Sequence, residues 1–317
     1  MPLKFCFVLD PVSKLDLEWD SSLFLLRELH SRGHETEIVT DRNLWAENHR
    51  VMGYCSRATP RSNNMITLKK LRRIPLDHFN AVILRKDPPF DMGYLYLTHL
   101  LELLEPVIPV MNHPRGVRDA NEKLAILNFP DWIPDTCIAQ TPEMIGTFQR
   151  RIKDDIVLKP LHSKGGEGVA LIRYRQKSKK TPNLLRYFKT FGPTVMAQRF
   201  ISGPEVTGDK RIMMLNGEFL CAYEKQFRKG EFRANLSLGG TWHPTRLTPL
   251  EKKMLGDLRP YLLSKGLYLA GLDVMQNKLL EINVTSPAGI SESQKIYPGS
   301  HPVRLWADFV ESLARRR

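Results

Sequence analysis

Residues 271–287 read GLDVMQNKLLEINVTSP. Apolar and polar residues alternate on both sides of Gln276-Asn277-Lys278, the pattern of two strands joined by a tight turn. With a three-residue turn at Gln276, Asn277 and Lys278, Asp273 faces Glu281 across the hairpin. Asn283 then lies two residues along on the same face. Leu272, Val274, Leu280, Ile282 and Val284 occupy the opposite side and are expected in the core. A two-residue turn would send the two carboxylates to opposite faces. Two carboxylates and an amide carbonyl above an apolar floor make a hard-oxygen donor set, which suits Mg²⁺ completed by phosphate and water. No histidine or thiolate joins them, which argues against zinc.

Upstream, the same strand grammar continues. KRIMMLNGEFLCAYEKQ (210–226) and TVMAQRFI (194–201) read as strands and a hairpin, and DIVLKP (155–160) pairs with VALIRYR (169–175). Between the last two runs lies the loop KPLHSKGGEGVAL, with Gly165, Gly166 and Gly168. It is neither GxxxxGK[ST] nor a GxGxxG opening a helix, so neither the P-loop nor the dinucleotide fingerprint applies. A glycine-rich turn between strands can nevertheless present backbone N–H groups to phosphates, with Lys159 supplying a point charge; the plainer reading is a hairpin turn beside an exposed lysine. Arg211 and Arg233 are the basic positions suited to phosphoryl transfer, although single arginines are more often surface residues. Hydrolase signatures such as GxSxG and HExxH are absent.

The front of the chain differs. FCFVLD (5–10), TEIVT (36–40), AVILRKD (81–87) and PVMN (109–112) read as strands. Helices over 21–32, with Asp20, Ser21 and Ser22 at the cap, and over 94–104 alternate with them. This is an open α/β layer, whose ligands bind beyond the carboxyl ends of the strands, where Arg85, Lys86 and Asp87 fall. Residues 45–75, rich in Arg, Asn, Ser and Thr, suggest a loop with short strands, and further helices fit at 183–190, 249–265 and 302–314. The expected fold class is α/β, with an open α/β N-terminal domain followed by an α+β body carrying antiparallel sheets.

Composition bounds the rest. The chain has 317 residues, of which 42% are hydrophobic and 26% charged, so disordered and fibrous classes are excluded. No run approaches the roughly 20 apolar residues of a membrane span, and no signal peptide is recognisable. Four separated cysteines without a CxxC pair read as free thiols of a cytoplasmic protein. The net charge is +13, and eight of these charges come from two clusters, the run Arg173, Arg175, Lys177, Lys179 and Lys180 and the tail Arg315 to Arg317. No stacking aromatics or helix-turn-helix accompany them, so nucleic acid is not an expected partner.

ILRKDPPFD (83–91), RDANEKL (118–124), LKP (158–160) with its glycine loop, MAQRF (196–200), GDKR (208–211), RANLSLGG (233–240) and the 272–287 block together resemble the bacterial-type glutathione synthetases of the ATP-grasp superfamily. The resemblance spans nearly the whole chain. It implies an N-terminal substrate domain over 1–122, an ATP-grasp small lobe over 123–200 and a C-terminal lobe with the metal site over 201–317. It also implies an ATP-dependent carbon–nitrogen ligase that joins γ-glutamylcysteine to glycine through an acyl phosphate. ATP would meet Lys123, Lys159, the three loop glycines, the segment Gln198, Arg199, Phe200 and Ile201, and Asp209. Mg²⁺, with Mn²⁺ as a substitute, would meet Asp273, Glu281 and Asn283. Arg85, Ser286 and Pro287 would meet the substrates, and Arg211, Arg233 and Asn235 would serve catalysis. A homo-oligomer, commonly a tetramer, is implied as well.

The sequence departs from the family at three loops. His162-Ser163 replaces the usual Asp-Gly after Lys-Pro-Leu, and FRKGEFRAN lacks the double glycine and threonine ahead of Arg-x-Asn. The segment between Asp10-Pro11 and Asp20-Ser21 also differs, and the basic run 173–180 is not a family feature. These changes fall near the substrates, so a sibling ligase with another acceptor is the main alternative. A catalytically inactive nucleic-acid-binding protein on the same fold is a remote one.

Overall fold

The computed structural model describes residues 1–61, 64–163, 165–175, 183–202, 208–226 and 241–315. Three sheets follow one another along the chain. The first contains the parallel strands β1 (Lys4–Val8), β2 (Glu35–Val39), β7 (Ala81–Leu84) and β8 (Val110–Met111), in the order β2-β1-β7-β8. Helix α1 (Ser21–Ser31) connects the first two, and its start is fixed as the sequence suggests: Asp20 accepts the N–H groups of Ser22 and Leu23 at 2.8 and 3.1 Å. Helix α2 (Met92–Glu102) is capped by Asp91 in the same way. Helix α3 (Pro114–Asp119) follows β8.

Residues 45–75, expected as a loop with short strands, hold one long strand among the short ones. They form β3 (Leu44–Glu47), the long β4 (Arg50–Pro60), β5 (Ile66–Leu68) and β6 (Arg72–Pro75), with β4 antiparallel to β2. Val51, Met52, Cys55 and Ala58 of β4 are buried. The polar residues that obscured this pattern pair across strands, Arg57 with Glu35 and Arg73 with Glu47. Such cross-strand charge pairs suit a sheet with one wet face.

The second sheet runs β11-β10-β12-β9, all antiparallel: β9 (Thr136–Ala139), β10 (Ile156–Pro160), β11 (Ala170–Ile172) and β12 (Val195–Arg199). Helices α4 (Pro142–Ile152) and α5 (Leu184–Phe191) cover it, and Ile145, Phe148, Ile156, Leu158 and Tyr187 form a core of its own. The third sheet has the order β15-β14-β13-β16-β17, from β13 (Gly208–Leu215), β14 (Glu218–Gln226), β15 (Thr241–Pro244), β16 (Leu269–Met275) and β17 (Lys278–Asn283). Helices α6 (Pro249–Ser264), α7 (Ile290–Ile296) and α8 (Pro302–Ala314) complete it.

The first and third sheets share their cores. Tyr94, Leu97 and Leu101 of α2 cluster with Leu258, Leu262 and Leu272, while Trp306 of α8 clusters with Phe5, Phe7 and Leu26. Asn112 ties the two sheets by hydrogen bonds. Its Nδ2 donates to the carbonyls of Leu269 and Val284 at 2.7 and 2.8 Å, and its Oδ1 accepts the N–H of Leu269 at 2.8 Å. A buried amide with three partners is satisfied, and its loss would leave backbone groups of the other sheet unpaired.

The four cysteines are free, as their spacing suggests. Cys6, Cys55 and Cys221 are buried, and burial pushes the Cys221 thiol up to about 12. At pH 8 its thiolate fraction is then on the order of 10⁻⁴. Cys137 is only half-buried. With Ellman's reagent the native protein is expected to react rapidly at Cys137 alone, and all four thiols in guanidinium. Rapid reaction of the Cys137→Ser variant would contradict this burial.

Candidate active site

A cavity of about 480 Å³ lies where the three sheets face one another. The β16–β17 hairpin forms its floor. Asp273 pairs with Glu281 and Gly271 with Asn283, so the two carboxylates and the amide share the face expected of them. The route to that register differs from the expectation. The turn has two residues, Gln276 and Asn277, both at positive φ, pairing Met275 with Lys278 and Val274 with Leu279. A β-bulge beyond Val274 leaves Leu280 without a cross-strand partner and restores the Asp273–Glu281 pair. Leu279 therefore enters the core, and Leu280 lines the cavity instead of the core.

Asp273 is nearly buried. Its Oδ1 lies 3.0 Å from Lys225 Nζ and 3.3 Å from Arg211 Nε, and Asn283 Nδ2 donates to its Oδ2 at 3.3 Å. Burial would lift this carboxyl, but the Arg211 and Lys225 charges outweigh it and hold the pKa at about 2. Asp209, 2.8 Å from Lys225 Nζ, goes the other way: burial raises it to about 6 against the pull of Lys225. Asn283 Nδ2 also donates to the Gly271 carbonyl at 3.1 Å, which leaves its Oδ1 as an acceptor.

The roof comes from the second sheet. Lys159 on β10 reaches Gln198 Oε1 on β12 at 2.8 Å, and Gln198 Nε2 donates to Thr136 Oγ1 at 3.0 Å. Burial, with Lys123 adding to it, lowers the Lys159 pKa against Glu281. Gly165 and Gly166, both at positive φ, line the cavity beside Ser163. Gly168 does not: a Cβ there would stand 2.6 Å from Pro160 Cγ and 2.7 Å from Phe191 Cε1, so its lack of a side chain serves packing. Arg199, Phe200 and Ile201 line the cavity where β12 ends, although Arg199 is also paired with Asp135 at 3.0 Å. Lys123 joins roof to floor, donating to the Ser163 carbonyl at 2.7 Å and lying 3.0 Å from Glu281 Oε1.

Arg85, at the carboxyl end of β7, is held by Ser22 Oγ at 3.0 Å and the Pro287 carbonyl at 3.1 Å, with its guanidinium 5.4 Å from the Trp306 ring centroid. Its buried Nη1 makes no hydrogen bond with any described residue, and neither does Arg211 Nη1. Two buried guanidinium groups with unspent donors at one cavity call for anionic oxygens. Ser286 and Pro287 line the cavity nearby. Arg233 and Asn235 lie outside the described residues.

Lys225, Tyr223 and Glu122 line the cavity and were not singled out by sequence. Lys225 faces Asp209 only because a β-bulge between Met213 and Met214 shifts the β13–β14 register by one residue. Glu122 precedes Lys123, and its buried Oε1 accepts Val284 N, Thr285 N and Thr285 Oγ1 at 2.9, 3.1 and 2.8 Å. The adjacent Lys123 was the available signal for it.

Among the described residues, no group of three His, Cys, Asp or Glu side chains could hold a metal ion. The donor set is two carboxylates and an amide, which fits a hard cation that brings phosphate and water ligands. No described helix is long and apolar enough to cross a membrane.

Residues 3–118 match the N-terminal domain of prokaryotic glutathione synthetase, and residues 122–298 match its ATP-grasp domain. The chain belongs to the prokaryotic glutathione synthetase family. It is 36% identical to the glutathione synthetase of Nitrosomonas europaea, over 99% of both chains. It is 34% identical to that of Bradyrhizobium diazoefficiens, over 99% of this chain and 100% of the other. Among solved structures, the D-cycloserine synthetase DcsG superposes with a TM-score of 0.68 at 14% identity, covering 98% of this chain and 99% of that one. The ATP-grasp ligase PsnB, complexed with a precursor variant, Mg and ADP, gives 0.65 at 15%, covering 98% of each. At that identity the structures speak for the ATP-grasp fold alone.

Proposed function

We propose that this glutathione synthetase family member joins the C-terminal carboxylate of γ-glutamylcysteine to the amine of glycine, converting ATP to ADP and phosphate. One observation carries the reading. Two lysines, two buried arginines with unspent donors and a carboxylate pair converge on one cavity in a chain whose near full-length relatives are glutathione synthetases.

The residues between the second and third sheets would hold ATP, with Gly165, Gly166, Lys123 and Lys159 available to its phosphates. The stretch Gln198 to Ile201 would meet the base and Asp209 the ribose. Asp273, Glu281 and Asn283 would hold Mg²⁺, with Mn²⁺ able to substitute; the ion supplies charge neutralisation at the phosphate oxygens. Arg85 holds the dipeptide, and Ser286 with Pro287 shapes the acceptor side.

A peptide carboxylate oxygen attacks the γ-phosphorus as the bond to ADP breaks, giving an acyl phosphate. The glycine amine then attacks the acyl carbon, loses a proton, and phosphate leaves. Arg211, fixed by Asp273, neutralises charge spreading over the transferring group, and preorganisation rather than covalent chemistry supplies the rate. Arg233 and Asn235 are assigned to the same step from sequence.

The units are proposed as 1–122, 123–200 and 201–317. What supports this division is that β1–β8, β9–β12 and β13–β17 each fall within one of them. A cytoplasmic location fits the four free thiols. A symmetric homo-oligomer, tetrameric by family resemblance, is read by light scattering.

The decisive assay is phosphate release from ATP with Mg²⁺, γ-glutamylcysteine and a panel of amines, with product masses recorded. Release that requires both the dipeptide and glycine, with glutathione as product, is expected. Release with a different acceptor would move the assignment to a sibling ligase with the same chemistry, and no release with any pair would overturn it.

A further inference from the structure

Three carboxylates and three cations face one another around the β16–β17 hairpin. Lys225 Nζ lies 2.8 Å from Asp209 Oδ1 and 3.0 Å from Asp273 Oδ1. Arg211 Nε is 3.3 Å from the same Asp273 oxygen, and Lys123 Nζ is 3.0 Å from Glu281 Oε1. Asp209, Asp273 and Glu281 are thereby matched, charge for charge, by Lys225, Arg211 and Lys123. Lys159 stands nearby as an additional, half-buried amine. The side chains of Lys225, Asp209 and Asp273 are 12%, 15% and 12% exposed, so water screens these pairs weakly.

A divalent cation bound by Asp273 and Glu281 must share these carboxylates with two ammonium groups, which already hold Asp273 Oδ1 and Glu281 Oε1. Taken up alone, it would add two positive charges beside Lys225, Arg211, Lys123 and Lys159 and compete with Lys225 and Lys123 for their carboxylates. Uncompensated buried charge of that kind is strongly unfavourable. A polyphosphate removes both problems, since its oxygens ligate the cation and accept hydrogen bonds from the displaced ammonium groups.

We propose that Lys225, together with Lys123, is an internal counter-ion that makes uptake of the divalent cation conditional on a nucleotide phosphate. The lysine competes with the metal for Asp273 and is then re-used as a phosphate contact. Metal and nucleotide binding are therefore coupled through this side chain, and the coupling is reciprocal. The inference rests on the metal-site reading above and adds a binding order to it.

The test uses Mn²⁺ as the probe, with free and bound ion distinguished by electron paramagnetic resonance, in the full-length protein without substrates and with or without ADP. Wild-type protein is expected to bind Mn²⁺ alone weakly and to bind it about 10-fold or more tightly with ADP, within the usual range of coupling. Lys225→Met is expected to bind Mn²⁺ alone about 10-fold more tightly than wild type and to lose most of the ADP dependence. Lys225→Arg should retain the wild-type pattern. Lys225→Gln, which can still donate to Asp209, serves as the second neutral variant should the methionine form melt early. Unchanged or weaker binding of Mn²⁺ alone in a folded neutral variant, with ADP coupling intact in wild type, overturns the counter-ion role and leaves the metal site standing. Failure of wild type to take up Mn²⁺ even with ADP overturns the metal-site reading itself.

Discussion

Asp273→Asn is expected to reduce turnover about a thousandfold and to lower the melting temperature as well. The catalytic loss follows from removing one of two carboxylates in a hard-oxygen donor set, where a bound cation stabilises the transferring phosphoryl group by several kcal/mol. The stability loss has a separate cause. Asp273 holds Lys225 at 3.0 Å and Arg211 at 3.3 Å, and the substitution leaves buried cations facing a neutral amide. Breaking a buried pair from one side costs about 3 kcal/mol or more, moderated here because Lys225 keeps Asp209 at 2.8 Å. The sign with pH follows from a folded-state pKa of about 2 against the ordinary 3.8. The carboxylate's contribution is fully present above about 3.8, falls as pH drops through about 2, and is absent in the variant. Steady-state kinetics together with thermal melts at pH 7 check both effects. Wild-type kcat/KM in Asp273→Asn at saturating Mg²⁺ would remove the residue from the metal site.

Lys159→Met is expected to lose about 10²- to 10³-fold in kcat/KM while melting at or above the wild-type temperature. Lys159 is a half-buried ammonium whose pKa desolvation pulls down, and its hydrogen-bond partner is the neutral amide oxygen of Gln198 at 2.8 Å. Methionine has similar length and avoids the cost of burying that charge, so folding does not suffer by the exchange. A phosphate beneath the glycine loop loses a positive charge placed before it arrives, an electrostatic contribution of the size of one oxyanion donor. The two variants thus separate function from stability in opposite directions at sites in one cavity. A marked fall in melting temperature for Lys159→Met would show that the lysine is structural rather than held ready for an anion.

Much of this architecture was legible in the residues. AVIL at 81–84 and FCFV at 5–8 could only be buried strands, Asp20 declared the start of the first helix, and the alternation in 271–287 announced a hairpin with carboxylates on one face. Lys123, Lys159, Gln198 and Arg211 are far apart in the chain and meet at one cavity. The long strand over 50–60 was not legible, because its Arg50 and Arg57 are neutralised by Asp77 and Glu35, acidic partners on other elements that local pattern cannot identify.

The sequence by itself determined most of the strands and helices and which carboxylate, amide and basic side chains are candidates for the site, because periodicity and capping act over a few residues. The tertiary structure decided how those side chains are aimed. Gln276-Asn277 and Asn216-Gly217 are both two-residue turns, and an unbroken ladder from either would misplace the partner: Asp273 would miss Glu281, and Asp209 would face Glu224 rather than Lys225. One bulge in each hairpin corrects the register, returning Glu281 to Asp273 and Lys225 to Asp209, while the two-residue turn at Gln276-Asn277 is what sends Leu279 into the core. A bulge gives up regular ladder pairing, and only the packing of the layers on either side of the sheet can repay that loss. Gly168 shows the same division of causes, since its neighbours Pro160 and Phe191 come into contact with it only in the folded lobe.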